Sequence, residues 1–184
     1  PRPETETLVD AILNENLQDK TLLELGTGSG AISISIAQEN KDCFIFATDI
    51  SIKSILVAKQ NAEKFCCENI IFLNHDWNNE WLFPQVDYLI SNPPYVDKEA
   101  TTGKEEGIWH EPEKALFSKD KGLSDLKLIL SKGKNFLNEN GKVYLEHAPD
   151  QYEELNKFAM ENGYLNFSNL NDLNGDKRVS VYQC

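Results

Sequence analysis

The spacing of hydrophobic positions changes period repeatedly along this chain, and each change marks an element. Over residues 6–17, Leu8, Val9, Ile12 and Leu13 fall on one helical face, which predicts a first helix. Residues 21–25, TLLEL, form a short apolar run ending in Gly26, as expected of a buried strand. Residues 31–38 alternate Ile and Ser like a strand. They follow a glycine loop, however, and Ile32, Ile36 and Ala37 also suit a helix packed on a sheet, so helix is assigned. A second strand is predicted over 43–48, closed by Asp49. Ser51 can cap a helix over 51–65 with Ile52, Ile55, Leu56 and Ala62 on its apolar face. Strands follow at 69–73 and 86–90, then a long helix at 123–137 ended by Asn138-Glu139-Asn140-Gly141. A fifth strand (142–146), a helix (151–160, closed by Asn162-Gly163) and a terminal strand pair (164–168, 178–183) complete the reading.

Strands alternating with helices predict a doubly wound α/β fold, a mostly parallel sheet covered on both faces. No repeat or low-complexity linker divides the chain, so one domain is expected over 1–184. The stretch 96–121 carries Gly103, Gly107, Pro112 and many charges, and a loop of that length is usually functional or mobile.

A formal net charge of -12 makes the chain a poor non-specific binder of nucleic acid, which needs clustered Lys and Arg. Such a surface could still dock a basic partner or hold a cationic ligand. Cys43, Cys66, Cys67 and Cys184 form no C-x-x-C pair and read as reduced thiols of a cytoplasmic protein. No apolar run approaches the roughly 18–20 residues needed to span a bilayer, and no signal peptide opens the chain. The opening Pro1-Arg2-Pro3-Glu4-Thr5-Glu6 reads like the middle of a protein.

Candidate chemistry gathers at the predicted strand ends. LLELGTGSGAI sets Gly26, Gly28 and Gly30 between a strand and a helix. Glycines let the backbone turn sharply and approach a ligand, and the helix start offers free N–H groups. The G-x-G-x-G spacing is not the dinucleotide fingerprint, and no P-loop lysine follows. Asp49, about 20 residues past the loop, stands where doubly wound folds place the carboxylate that receives a ribose diol. At the third strand end, Asp76 could accept from an adenine amine and Trp77 could cover the ring. Together the three ends describe an adenosine-type site.

Asn92-Pro93-Pro94-Tyr95 ends the fourth strand, beside the first in such a sheet. The quartet holds no acid, base or nucleophile. It suits a planar NH2 group, whose nitrogen is a weak nucleophile because its lone pair is delocalised. The Asn92 side-chain oxygen and the Pro93 carbonyl can accept its two N–H bonds and stabilise the positive charge that develops on nitrogen. Tyr95 can lie against the plane, and the prolines stiffen the loop. His147 and His110, with Glu146, Glu111 or Asp76, match no metal-ligand spacing, so no metal is expected.

The glycine loop and strand-end acid resemble the class I S-adenosylmethionine-dependent methyltransferases. That resemblance implies a seven-stranded sheet with an antiparallel C-terminal strand. It also implies that Glu24, of LELG, faces the cationic methionine end. The tetrapeptide resembles the amino-group methyltransferases acting on adenine, cytosine or glutamine. PRPETE (1–6), HEPEKALFSKDKGL (110–123), LEHAPDQ (145–151) and DKRVSV (176–181) resemble, in order, segments of the release-factor glutamine methyltransferases, the HemK family. The resemblance implies methylation of the glutamine in the Gly-Gly-Gln motif of peptide-chain release factors, with S-adenosylmethionine as donor and S-adenosylhomocysteine as product. It assigns Gly26, Thr27, Gly28, Ser29, Gly30, Asp49, Asp76 and Trp77 to the cofactor, and Asn92, Pro93, Pro94 and Tyr95 to the substrate glutamine. Asn92 also faces the cofactor, and Thr5, with Arg2 and Glu4, lines the cofactor entrance. Two departures are visible. Ala148 replaces the family's glycine after the Glu-His pair. The chain also begins after the point where the family's N-terminal helical domain would end, so the catalytic domain alone is expected. An adenine methyltransferase of DNA or RNA, and a non-catalytic module binding cofactor or partner, are the alternatives.

Overall fold

The computed structural model describes residues 3–97, 117–118 and 122–184. Its elements run α1 (Pro3–Leu13), β1 (Thr21–Leu25), α2 (Ala31–Glu39), β2 (Phe44–Asp49), α3 (Ile52–Lys64), β3 (Ile70–Asn74) and β4 (Val86–Ser91). The short β5 (Val96–Asp97) and β6 (Phe117–Ser118) pair with each other in parallel. Then come α4 (Ser124–Gly133), β7 (Leu137–Glu146), α5 (Tyr152–Glu161), β8 (Asn166–Asn171) and β9 (Lys177–Gln183).

Seven strands form one sheet in the order β3-β2-β1-β4-β7-β9-β8. The first five in that order are parallel, and β9 runs antiparallel to both neighbours. Alternation along the central strands divides the core. Leu23, Leu25, Leu89, Val143 and Leu145 face α4 and α5, whereas Leu22, Ile45, Tyr88, Ile90 and Tyr144 face α1 and α2. The chain crosses from one face to the other where β1 and β4 lie side by side, and ligands bind at that switch point in open α/β sheets. No helix among the described residues is long and apolar enough to cross a membrane.

Three expectations are corrected. The first helix begins at Pro3 and stops at Leu13, and Leu17 is buried beyond it. The helix at 51–65 is present, with Ser51 capping through a bond from the Ser54 N–H, but its buried face is Ile55, Ala58 and Ala62. Ile52 and Leu56 are exposed. Ile55 and Ala62 are buried as expected, and the small Ala58 lets α3 close on Gly30 of the glycine loop. Finally, the long helix ends at Gly133, passes through a 3-10 turn at Lys134–Phe136 and gives way to β7 at Leu137. The expected helix stop is a bulged strand start: Val86 pairs with Leu137 and Tyr88 with Lys142, and Asn140 takes φ 63 in between.

At the end of the sheet away from the glycine loop, Glu15 accepts from Lys142 Nζ (2.6 Å), Tyr144 OH (2.6 Å) and Tyr88 OH (3.4 Å). Burial works against its ionisation, but these bonds win and hold the carboxyl below its ordinary value. A depressed carboxyl stabilises the fold above its unfolded pKa, and that contribution is lost as pH falls through the native one. Glu15→Gln is therefore expected to lower stability by about 1 kcal/mol near neutral pH, discounted for partial exposure. The deficit should shrink toward zero below about pH 4. Urea titrations of both proteins at pH 7 and pH 3.5 measure it, and a deficit unchanged with pH would contradict it.

Candidate active site

Register alone brings the candidate residues together. Leu25 pairs with Thr48 on one side and Ser91 on the other, and Asp49 pairs with Asn74. Gly26, Asp49, His75 to Trp77 and Asn92 therefore leave the sheet side by side at its carboxyl edge. Hydrogen bonds tie these tips together. Gly26 and Thr27 N–H both donate to the Thr48 carbonyl at 2.8 Å, and Ser91 Oγ donates to the Leu25 carbonyl at 2.7 Å. The His75 N–H (3.0 Å) and Asn74 Nδ2 (2.9 Å) both donate to the Asp49 carbonyl.

Within the glycine loop, Gly30 precedes α2 in the left-handed region (φ 85). A Cβ there would come within 3.2 Å of the Ala58 Cβ on α3, so the loop needs glycine for both shape and space. Above Gly28, by contrast, no atom of the described residues lies within 4 Å of where a Cβ would point. Ser29 presents its carbonyl to Asn61 Nδ2 at 2.9 Å. The Gly28 N–H donates to Asp49 Oδ2 at 2.9 Å, while Asp49 Oδ1 accepts from the Ser51 N–H at 2.8 Å.

Glu24 lies on the α2 side of β1, directly under the loop. Its Oε2 accepts from Thr27 Oγ (2.7 Å), the Ser33 N–H (3.2 Å) and the Ser33 hydroxyl. Its Oε1 is buried with no hydrogen-bond partner among the described residues. Burial raises the Glu24 carboxyl above its ordinary range, and the bonds from Ser33 and Thr27 only partly offset this. Asp76 Oδ1 accepts from both nitrogens of Asn78, and the backbone N–H is the largest cause holding that carboxyl low. The Trp77 ring walls the loop: a Cβ on Gly26 would meet Trp77 Cζ3 at 3.1 Å.

On the acceptor side, Asn92 Nδ2 donates to Thr5 Oγ1 of α1 at 3.2 Å, which turns Oδ1 the opposite way. Pro93 and Pro94 are buried. Tyr95 is held twice. Its hydroxyl donates to Glu146 Oε1 at 3.0 Å, and its carbonyl accepts from Gln151 Nε2 at 2.9 Å. Gln151 is set in turn by the Ala148 N–H, which donates to its Oε1 at 2.9 Å.

Every assigned residue with a described side chain thus reaches this edge. Arg2, His110 and Glu111 lie outside the described residues, as do Gly103, Gly107 and Pro112; of Glu4, only its helical backbone belongs to them. His147 is buried, with Nε2 2.7 Å from Ser180 Oγ and Nδ1 2.8 Å from the Ala148 carbonyl. Burial lowers its pKa. Among the described residues, no group of three or more His, Cys, Asp or Glu could hold a metal ion. Gly122 was missed as a site residue, although it lies inside the 110–123 segment. It takes φ 82 directly against the Tyr95 carbonyl, and the Gly-Leu pair before an apolar helix was the available signal.

Residues 3–121 match the family model described as "Methyltransferase small domain". A release factor glutamine methyltransferase of Shewanella oneidensis is 33% identical over 98% of this chain and 64% of its own length. One from Coxiella burnetii is 37% identical over 98% of this chain and 65% of its own length. The chain thus spans a little under two thirds of these relatives. The solved structure of a methyltransferase from Pyrococcus furiosus superposes with a TM-score of 0.72 at 18% identity, covering 100% of this chain and 83% of that one.

Proposed function

Because this chain belongs to the methyltransferase small domain family, we propose that it supplies the catalytic domain for N-methylation of a glutamine side chain, that of the Gly-Gly-Gln motif in peptide-chain release factors, in the cytoplasm. The observation that carries the reading is the pairing of Leu25 with Ser91. It sets the glycine loop and Asn92 side by side, with the Asn92 amide nitrogen occupied by Thr5 and its oxygen turned away. The two release factor glutamine methyltransferases support the choice of substrate.

The residues present fit S-adenosylmethionine. No described atom lies within 4 Å of where a Cβ on Gly28 would point, which gives room at the loop. The buried Glu24 Oε1, without a partner among the described residues, offers an acceptor to a cationic end. Asp49 would hold the ribose, with Asp76 and Trp77 at the adenine. When bound, S-adenosylmethionine supplies a methyl group already activated by the sulfonium charge. The protein therefore needs no strong base. Asn92 Oδ1 and the Pro93 carbonyl accept the two N–H bonds of the glutamine amide, fix the nitrogen and stabilise the charge it gains. Tyr95, fixed at its hydroxyl and its carbonyl, forms the wall against the amide plane.

Incubation with methyl-labelled S-adenosylmethionine tests this. Label is expected on a wild-type release factor and absent from its Gly-Gly-Gln Gln→Ala variant. Label on DNA alone would sink the reading in favour of an adenine acceptor, an outcome the net charge of -12 disfavours.

A further inference from the structure

Lys132 and Asp125 have no place in the chemistry above, yet both reach into the loop that carries Trp77. They lie two turns apart on one face of α4. Lys132 Nζ donates to the main-chain carbonyls of Trp77 (2.9 Å), Asn78 (3.0 Å) and Asn79 (2.9 Å). An ammonium has three N–H bonds, and three carbonyls of one turn converge on this one. Asp125 Oδ1 accepts the Trp77 indole N–H at 3.1 Å.

Anchoring the loop would need only the backbone bonds. The bond to the indole does something different: it fixes the ring's rotation, with Cζ3 turned toward Gly26. The same helix begins just after Gly122, which packs on the Tyr95 carbonyl. One helix therefore braces the Trp77 loop and starts beside the Tyr95 backbone.

We infer that Asp125 and Lys132 are positioning residues of the cofactor site, holding Trp77 as a preformed wall for the adenine end of S-adenosylmethionine. The inference rests on the proposed use of that cofactor. It belongs to ligand affinity, because neither residue approaches Asn92 or the acceptor amide through any bond described above.

Calorimetric titration with S-adenosylhomocysteine, which needs no turnover, is the test. Asp125→Ala and Lys132→Ala should each weaken binding about tenfold. Asp125→Asn keeps an oxygen for the indole N–H and should bind within about twofold of wild type. At saturating S-adenosylmethionine and release factor, kcat of all three should stay within about twofold, so the loss appears in KM for the cofactor. Wild-type affinity in Asp125→Ala and Lys132→Ala would overturn the inference. So would an equal loss in Asp125→Asn and Asp125→Ala that simply tracked a fall in melting temperature. A wild-type protein that binds no S-adenosylhomocysteine would overturn the proposed function itself, and this inference with it.

Discussion

Asn92→Ala should slow methyl transfer about 10²–10³-fold, the usual consequence of removing one preorganised group aimed at developing charge. The amide nitrogen of a glutamine is a poor nucleophile because its lone pair is shared with the carbonyl. As the new N–C bond forms, that sharing is lost and the two N–H bonds become more acidic. An acceptor on each bond therefore binds the transition state more tightly than the ground state, which is the condition for raising kcat. Alanine deletes the Asn92 oxygen and leaves the Pro93 carbonyl alone. Affinity for S-adenosylmethionine should change by no more than about twofold, because the hydrogen bond described for the Asn92 side chain goes to Thr5 and not to the glycine loop. Single-turnover rates at saturating cofactor, with affinity measured separately, resolve the two effects. A rate within about threefold of wild type would remove Asn92 from the mechanism.

The strands and the site edge were legible because they depend on short-range pattern. Apolar runs ending in Gly26, Asp49 and Ser91 mark strand tips, and parallel pairing then sets those tips side by side whatever lies between them. The errors came from packing that pattern does not encode. Alanine gives little hydrophobic signal, so periodicity chose Ile52 and Leu56 on α3. The helix instead presses Ala58 against Gly30, because only a small side chain allows that approach. Asn138-Glu139-Asn140-Gly141 has the composition of a turn, yet pairing of Val86 with Leu137 draws the strand back through it. Glu24 is not one of these errors, since the proposed function keeps it at the cationic end of the ligand. The period of β1 places it beneath the loop, with one oxygen held by Thr27 and Ser33 and the other left without a described partner. Asp125 and Lys132 could not be found from spacing, since they act on a loop some 50 residues earlier, through contacts only the fold creates.

Gly122→Ala should cut kcat about 100-fold, as expected when an acceptor-positioning group is displaced by about 1 Å. Two effects act at this position. The backbone has φ 82, which costs alanine about 1 kcal/mol relative to glycine. In addition, the new Cβ would lie 2.0 Å from the Tyr95 carbonyl oxygen and 2.6 Å from Gln151 Nε2. No side-chain rotation relieves a clash with backbone, so Tyr95 must move and its carbonyl must lose the bond from Gln151. In the proposed mechanism Tyr95 ends the tetrapeptide that orients the amide, so the displacement would reach the reacting group directly. A matched control separates strain from clash. Gly175, in the turn between β8 and β9, has φ 88 with no atom of the described residues within 4 Å of where a Cβ would sit, so Gly175→Ala incurs the conformational cost alone. Both variants should lose roughly 1 kcal/mol or more of stability in urea titrations. Only Gly122→Ala should lose activity per folded molecule, with S-adenosylhomocysteine affinity nearly unchanged. Equal activity in the two variants would show that the Tyr95 backbone is not held in place by the packing at Gly122.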